Sequence, residues 1–323
     1  MTCTPCIYTK GRGEDMAIVV IYVDDTLVIA PRLETVLKVK KQIGQKWKME
    51  DSGEVSHFLG IKISRDRAKH TMTIGQSGYI DQVLEKHLDK RVRPAMVPMQ
   101  SIPEGITVAS RAQQKEYPVI VGKLLWIANS TRPDLSLTVS VLARHMREPA
   151  QEHYQAAQCV LRYLEGTKEG GLVYRVSESQ EPLVAHSDAT WGSDTTIQRR
   201  STSGSVVFVY GNPVTWKSAT QKCVSLSAVE AEFIAATEAT REVLFLKQLL
   251  RSIGVAPAHQ QFTQTTRAAY RSARTQCSIG SSSTSTRSTT LSATTFKREE
   301  CRLSMWIPSK TWQTYSRSLS ENR

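Results

Sequence analysis

The sequence predicts a mixed α/β fold of the α+β type, and three observations support this. Residues 16–30 form two apolar runs rich in β-branched side chains, which indicates strands. Residues 117–164 carry apolar side chains at helical spacing, which indicates a block of three helices. Residues 171–217 are again β-rich and precede one long helical stretch, 227–253. Because 323 residues exceed one ordinary core, we expect more than one domain.

Local spacing predicts each element before residue 171. The first two strands meet at an acidic turn that contains Asp24 and Asp25, and residues 33–49 place their apolar side chains along one face of a helix. A stretch that bears Pro and Gly, 94–105, separates these elements from the helical block. The other predicted elements are strands at 55–64 and 71–74 and helices at 77–87, 117–130, 134–146 and 151–164.

The C-terminal block is predicted as several strands followed by a helix. Ser227 and Glu230 have the spacing of a capping box at the start of that helix, and Gly254 lies where a C′ glycine is expected. The strands of this block are predicted at 171–176, 183–187, 203–210 and 213–217.

Composition excludes several classes of protein. A hydrophobic content of 40% and a charged content of 22% are those of a globular chain. No apolar run reaches the roughly 20 residues of a membrane helix, and no secretory signal pattern is present, so we expect no membrane partner. The six cysteines are scattered, with one Cys-x-x-Cys at Cys3 and Cys6. This favours unpaired thiols in a reducing compartment over a metal or redox site.

The charge is concentrated at the C-terminus. Residues 258–323 contain ten Lys and Arg against three Glu, so they hold +7 of the net charge of +12. Within them, residues 261–295 are dominated by Ser, Thr, Arg and Gln, which is typical of a disordered tail. A basic balance indicates a polyanionic partner, and nucleic acid is the default. Charge by itself does not establish that partner, because most of the excess lies in the tail.

Asp24 and Asp25 are the first candidate site. Adjacent carboxylates at a hairpin tip supply the hard oxygen ligands that divalent metals prefer, and phosphoryl transfer by metal ions needs such ligands. The alternative is a polar turn that serves only to connect two strands. The preceding Tyr22-Val23 and the apolar runs on both sides favour the metal site.

The segment Tyr22-Val23-Asp24-Asp25 resembles the catalytic hairpin of reverse transcriptases of the copia-type retrotransposon Pol family. Further motifs of that family extend the resemblance over about residues 6–254. They are Phe58-Leu59-Gly60-Ile61, Val121-Gly122-Lys123-Leu124, Thr131-Arg132-Pro133-Asp134, Arg162-Tyr163-Leu164-Glu165-Gly166-Thr167, Ala185-His186-Ser187-Asp188, Arg200-Ser201-Thr202-Ser203-Gly204 and Ser227-Ala228-Val229-Glu230-Ala231-Glu232.

The resemblance implies an RNA-directed DNA polymerase joined to a ribonuclease H. Asp24 and Asp25 match polymerase metal ligands, and Asp188 and Glu232 match ribonuclease ligands, with Mg²⁺ as the metal and Mn²⁺ as an alternative. Thr190 stands where the family usually has a further Asp. Glu230 and Glu232 cannot share a helix face, so Glu230 is assigned to capping and Glu232 to the metal.

The resemblance also implies a domain order. Residues 1–110 are predicted as the C-terminal palm hairpin and thumb-like part of a reverse transcriptase, 111–170 as a helical thumb or connection, 171–257 as a truncated ribonuclease H-like domain, and 258–323 as the basic tail. The expected partners are RNA, DNA and RNA–DNA hybrids. A homodimer and an upstream polymerase half on another chain are both left open. The expected location is the cytoplasm, in a virus-like particle, with the nucleus as an alternative.

Both carboxylate sets are expected to be incomplete. In the family a third polymerase aspartate lies upstream of the hairpin, and further ribonuclease aspartates follow the long helix, whereas residues 258–323 contain no Asp. We interpret most of this tail as out-of-frame sequence, since codons exist that restore the expected Asp-Asn and Asp-Ile-Phe-Thr stretches in another frame. The alternative is a genuine basic tail that binds phosphates. Three interpretations of the chain therefore stay open: an enzyme, a non-catalytic duplex-binding remnant and an orphan structural protein.

Overall fold

The computed structural model describes residues 5–89, 92–176, 182–192, 199–255 and 261–264. It confirms a mixed α/β architecture, with three sheets and six α-helices in these ranges. Among the described residues, no helix is both long and apolar enough to cross a bilayer.

The N-terminal sheet contains the predicted acidic hairpin. Strand β2 (Ala17–Tyr22) pairs antiparallel with β3 (Asp25–Ile29), and β1 (Ile7–Lys10), which was not predicted, pairs with the other edge of β2. Helix α1 (Leu33–Gly44) packs beside this sheet and ends five residues before the predicted limit of 49.

The middle sheet has the order β4-β5-β6-β7 and combines two distant parts of the chain. Its first hairpin joins β4 (His57–Phe58) to β5 (Ile61–Asp66) through Leu59 and Gly60, both at positive φ, as a type I′ turn requires. Strand β6 (Thr71–Gly75) follows, and its other neighbour is β7 (Leu172–Arg175).

The pairing of β7 corrects one expectation. The sequence groups residues 171–176 with the ribonuclease H-like block, but β7 is hydrogen-bonded to β6 of the middle sheet. The approach is close, because a Cβ on Gly171 would lie 2.3 Å from the carbonyl oxygen of Ile74. The middle sheet therefore extends to Arg175, and the next sheet begins at Leu183.

Four helices, together called the helical block, hold the larger core. They are α2 (Ser77–His87), α3 (Arg111–Ser130), α4 (Ser136–Ala143) and α5 (Gln151–Thr167). Helix α3 begins six residues before the prediction because Ser110 and Gln113 form a capping box that the sequence analysis missed. Residues 133–135 form a 3₁₀ turn in place of the predicted first turn of a longer fourth helix.

A buried polar network explains the segment Thr131-Arg132-Pro133-Asp134. The guanidinium of Arg132 donates to both oxygens of Asp134 and to the carbonyl and hydroxyl of Thr167, at 2.7–3.3 Å. Tyr163 donates to Asp134 at 3.0 Å. Thr131 donates to Gln76 at 2.8 Å. These bonds connect α3 to α5 and to the end of the middle sheet, so the motif has a structural role here.

The C-terminal sheet has the order β10-β9-β8-β11. Strands β8 (Leu183–Thr190), β9 (Thr202–Val209) and β10 (Asn212–Thr220) are antiparallel, and α6 (Ala228–Ser252) follows them. Strand β11 (Gln261–Gln264) then pairs parallel to β8. Residues 261–264 of the predicted tail therefore form a strand. The rest of the predicted tail, 258–260 and 265–323, lies outside the described residues.

Candidate active site

The tip of the β2–β3 hairpin carries the first pair of predicted ligands. Tyr22 is paired with Asp25, so Val23 and Asp24 form a two-residue turn. Val23 has a φ of 52°, which is strained for a β-branched residue, and its side chain is 81% exposed. Asp24 and Asp25 are both exposed. Both carboxylates therefore lie at the solvent-facing tip of the hairpin.

Asp188 lies on β8, where buried and exposed side chains alternate, and this alternation shows on which face of the sheet Asp188 lies. Leu183, Ala185 and Ser187 are buried, whereas Asp188 is exposed. Successive side chains of a strand point to opposite faces, so Asp188 lies on the face away from the buried set. Its partner on β9 is Gly204, and a Cβ added there would meet nothing closer than the Asp188 carbonyl at 4.0 Å. The space beside Asp188 on this face is open.

Glu232 lies on α6, which covers the other face of the same sheet. Leu183, Ala185 and Val207 of the sheet pack against Val243 and Leu246 of this helix. We call this side the α6 face and the opposite side the open face. Glu232 belongs to the N-terminal part of α6 and is only 3% exposed.

The α6 face becomes polar toward the N-terminus of the helix. Gln221, 1% exposed, donates to the hydroxyl of Ser203 at 3.0 Å and to the carbonyl of Ala231 at 2.8 Å. Ser225 donates to Gln221 at 2.7 Å. The carbonyl of Ala231, the residue before Glu232, thus accepts one of these bonds.

Glu230 has the capping role that the sequence predicts. Its backbone N–H donates to the Ser227 hydroxyl at 3.1 Å, and its carboxylate accepts from the backbone N–H of Leu226 at 2.7 Å. The return bond thus reaches one residue further than in an ordinary capping box. At the other end, Gly254 has a φ of 77°, as expected for a C′ residue.

Asp188 lies on the open face of the sheet, whereas Glu232 belongs to the helix that covers the opposite, α6 face. Within the described ranges, no cluster of three or more His, Cys, Asp or Glu side chains is placed to hold a metal ion. Carboxylates suit Mg²⁺ and Mn²⁺ by their chemistry. The two predicted pairs supply two such ligands each, which is fewer than a pair of catalytic metals needs.

The helical block contacts the open face of the C-terminal sheet at β9 and β10. Trp216 of β10 lies in register with Val206 and His186, so all three share the open face with Asp188. The indole N–H of Trp216 donates to the carbonyl of Ala128 in α3 at 2.7 Å. Arg144, at the end of α4, donates to the Thr202 hydroxyl on β9 at 3.2 Å.

Sequence reasoning missed the basic side chains at this junction. Arg144, His145, Arg147 and Glu148 line a groove at the end of α4. Because Arg144 and Thr202 are 58 residues apart, the sequence could show only that arginines follow a helix, which is common. No local signal places them beside the C-terminal sheet.

Comparisons with known proteins identify the family. A family model described as reverse transcriptase (RNA-dependent DNA polymerase) matches residues 1–101. The chain is 33% identical over 261 residues to the retrovirus-related Pol polyprotein from transposon TNT 1-94 of Nicotiana tabacum, which covers 78% of this chain and 19% of that protein. It is 34% identical over 240 residues to a putative transposon Ty5-1 protein of Saccharomyces cerevisiae, covering 73% of this chain and 77% of that protein.

Another relative is the Pol polyprotein from transposon RE2 of Arabidopsis thaliana, 30% identical over 256 residues, with 78% of this chain and 17% of that protein covered. The chain thus spans less than a fifth of the Pol polyproteins of tobacco and Arabidopsis that it matches.

A foamy viral protease-reverse transcriptase in complex with RNA/DNA hybrid superposes with a TM-score of 0.48 at 12% identity, over 90% of this chain and 36% of that one. A superposition of this quality supports no conclusion. From the sequence relatives, the chain belongs to the copia-type retrotransposon Pol polyprotein family.

Proposed function

We propose that this chain acts on RNA–DNA hybrids within a longer Pol polyprotein, as the part that carries the polymerase hairpin and a ribonuclease H-like unit. The observation that carries the proposal is the C-terminal sheet. Three antiparallel strands and a long helix follow the predicted order, and β11 adds a strand parallel to β8. Asp188 therefore lies on an inner strand, next to an open face.

The ribonuclease reaction would use Asp188 and Glu232 as metal ligands. A divalent metal, Mg²⁺ or Mn²⁺, would supply charge stabilisation and an activated water when bound. Asp188 offers an exposed carboxylate, and Glu232 offers a carboxylate that burial holds in one place.

The polymerase reaction would use Asp24 and Asp25. A β-branched residue at positive φ costs about 1–2 kcal/mol, and such strain tends to occur where function requires a fixed geometry. Val23 is such a residue, and it immediately precedes the two carboxylates. This supports the metal site over the alternative of a simple connecting turn.

A cleavage assay with the full chain tests the ribonuclease proposal. A labelled RNA–DNA hybrid is incubated with the chain in Mg²⁺ or Mn²⁺, alongside Asp188→Asn, Glu232→Gln and the control Glu238→Gln. Glu238 lies on the same helix as Glu232 and forms an ion pair with Lys217 at 3.6 Å. We expect metal-dependent cleavage that both ligand variants abolish and the control retains. Equal cleavage by all variants would overturn the assignment of Asp188 and Glu232.

A second candidate function is duplex binding without cleavage. The placement of Asp188 and Glu232 on different faces of the sheet favours it, because two ligands that do not converge hold a metal weakly. This candidate predicts salt-dependent binding of the hybrid and no metal-dependent cutting. Absence of any hybrid binding would contradict both candidates.

A further inference from the structure

The groove at the end of α4 lies where the helical block meets the C-terminal sheet. Arg144, His145, Arg147 and Glu148 line it, and its volume is about 670 Å³. We call it the junction groove. Two guanidinium groups and one carboxylate leave it with an excess of positive charge even when His145 is neutral. Guanidinium groups bind phosphate through paired hydrogen bonds, so this chemistry fits a phosphate anion.

Strand register relates the junction groove to Asp188. Arg144 donates to the hydroxyl of Thr202, and Thr202 is paired with Thr190. Gly204, two residues further along β9, is paired with Asp188. Side chains two residues apart on a strand share a face and are separated by roughly 7 Å. The Arg144 contact and Asp188 are therefore neighbours on the open face.

A stacked pair of histidines supports one wall of the groove. The rings of His145 and His153 are 3.8 Å apart and inclined by 15°. His153 is only 3% exposed, and its Nδ1 accepts from the backbone N–H of Ala150 at 2.9 Å. His153 is thus a buried stacking partner for the His145 ring. Arg147, in contrast, is exposed and can reach an anion in solvent.

We propose that the junction groove binds a backbone phosphate of the RNA–DNA hybrid and so positions the strand beside Asp188. This inference rests on the proposed function. Thr202 and Asp188 are diagonal neighbours on β9 and β8, about 7–8 Å apart, which is comparable to the spacing of successive phosphates of one strand. A strand whose phosphate lies at Asp188 can therefore place a neighbouring phosphate against Arg144 and Arg147. Arg147 has the main binding role, and Arg144 also holds α4 to β9.

The test is the salt dependence of hybrid binding by the full chain. Arg147→Ala is compared with Arg241→Ala, which removes an exposed arginine from α6 on the opposite side of the sheet. Loss of one phosphate contact is expected to weaken hybrid binding about 3- to 10-fold, whatever the base sequence of the hybrid. It should also reduce the slope of the logarithm of the binding constant against the logarithm of the salt concentration by about one. Arg241→Ala should leave both values unchanged. Equal effects of the two variants would overturn the proposal.

A second measurement separates failure of this inference from failure of the proposed function. If the unaltered chain binds hybrid and Arg147→Ala binds with the same slope, the groove is not a phosphate site and the proposed function stands. If the chain binds no hybrid, the proposed function fails. The groove is then tested with inorganic phosphate by following the imidazole NMR signals of His145. Shifts that Arg147→Ala abolishes and Arg241→Ala retains support the groove, and their absence in the unaltered chain refutes it.

Discussion

Arg132 is a residue whose charge is buried, with a side chain only 5% exposed. Its bonds to Asp134 and Thr167 satisfy the guanidinium, and it lies 5.5 Å from the ring centroid of Tyr163. Burial raises the pKa of Tyr163 to about 12, and the charge of Asp134 adds to this effect. The network is stable only as a unit, because each polar group depends on its partners for hydrogen bonds.

Replacement of Arg132 by alanine should therefore destabilise the helical block strongly. Removal of one partner leaves the other charge buried and unpaired, which typically costs about 3–5 kcal/mol. Urea denaturation would measure the loss. The control is Lys168→Ala, which breaks the exposed ion pair with Asp81 and should change stability little. A small effect of Arg132→Ala would show that the network does not hold the helices together.

His153 should make stability depend on pH. Burial lowers the pKa of His153, outweighing the opposing influence of Glu152 and of the Pro103 carbonyl. Since the imidazole is protonated less readily in the folded state, the unfolded state takes up the proton first as pH falls. This stabilising contribution is therefore complete above the unfolded pKa of about 6.5 and is lost as pH falls below it.

The variant His153→Gln tests that dependence, because glutamine at this position can still accept from the backbone of Ala150. We expect the free energy of unfolding to vary less between pH 7 and pH 5 than in the unaltered chain. His57→Gln, at an exposed histidine, is the control and should keep the original dependence. An unchanged pH profile for His153→Gln would contradict the prediction.

At the scale of elements, two glycines show opposite constraints. Gly171 precedes β7 at a point where an added Cβ would meet the Ile74 carbonyl at 2.3 Å. Gly78 lies in α2 with nothing within 4 Å of its added Cβ and without a positive φ. The first position needs glycine for close approach of two strands, and the second does not.

Alanine substitutions at these two glycines should change the free energy of unfolding in opposite directions. Gly171→Ala should cost about 1–3 kcal/mol, because backbone must move to relieve the contact. Gly78→Ala should stabilise α2 by about 0.5–1 kcal/mol, since alanine loses less entropy in a helix. Thermal unfolding of both variants would measure the two shifts. Unchanged or increased stability of Gly171→Ala would show that the β6–β7 approach is not tight.

At the scale of the whole molecule, the helical block and the C-terminal sheet are joined by a few polar contacts. Trp216 donates to Ala128 and Arg144 donates to Thr202. The side chain of Asn212 bonds to both the N–H and the carbonyl of Arg175 at 2.9 Å, which links β7 to the C-terminal sheet. These contacts connect two separate hydrophobic cores.

Trp216→Ala should uncouple the two cores. It removes both the indole ring and the bond to Ala128, so we expect the C-terminal sheet to unfold before the helical block. The urea transition should broaden, with a lower apparent m-value. Hydrogen exchange would then show lower protection in β9 than in α3. Trp47→Ala, at a tryptophan 62% exposed, is the control. A single sharp transition with unchanged m in Trp216→Ala would show that other contacts hold the cores together.

Local patterns by themselves determined the acidic hairpin and both ends of α6. The apolar runs around Asp24 and Asp25 predicted the hairpin, and Ser227, Glu230 and Gly254 predicted the limits of α6. These predictions were confirmed because side-chain periodicity and helix end caps depend on only a few neighbouring residues. Resemblance to the family extended them to Asp188 and Glu232, whose roles stay predictions.

Only the tertiary structure decided which distant elements meet. It paired β7 with β6, nearly a hundred residues apart in the chain, and it placed β11 beside β8. It also set Asp188 on the same face of the sheet as Thr202, which Arg144 contacts, and it buried the Glu232 side chain of α6. Such pairings depend on which apolar faces exclude water together, and that choice depends on the whole chain rather than on any short segment of it.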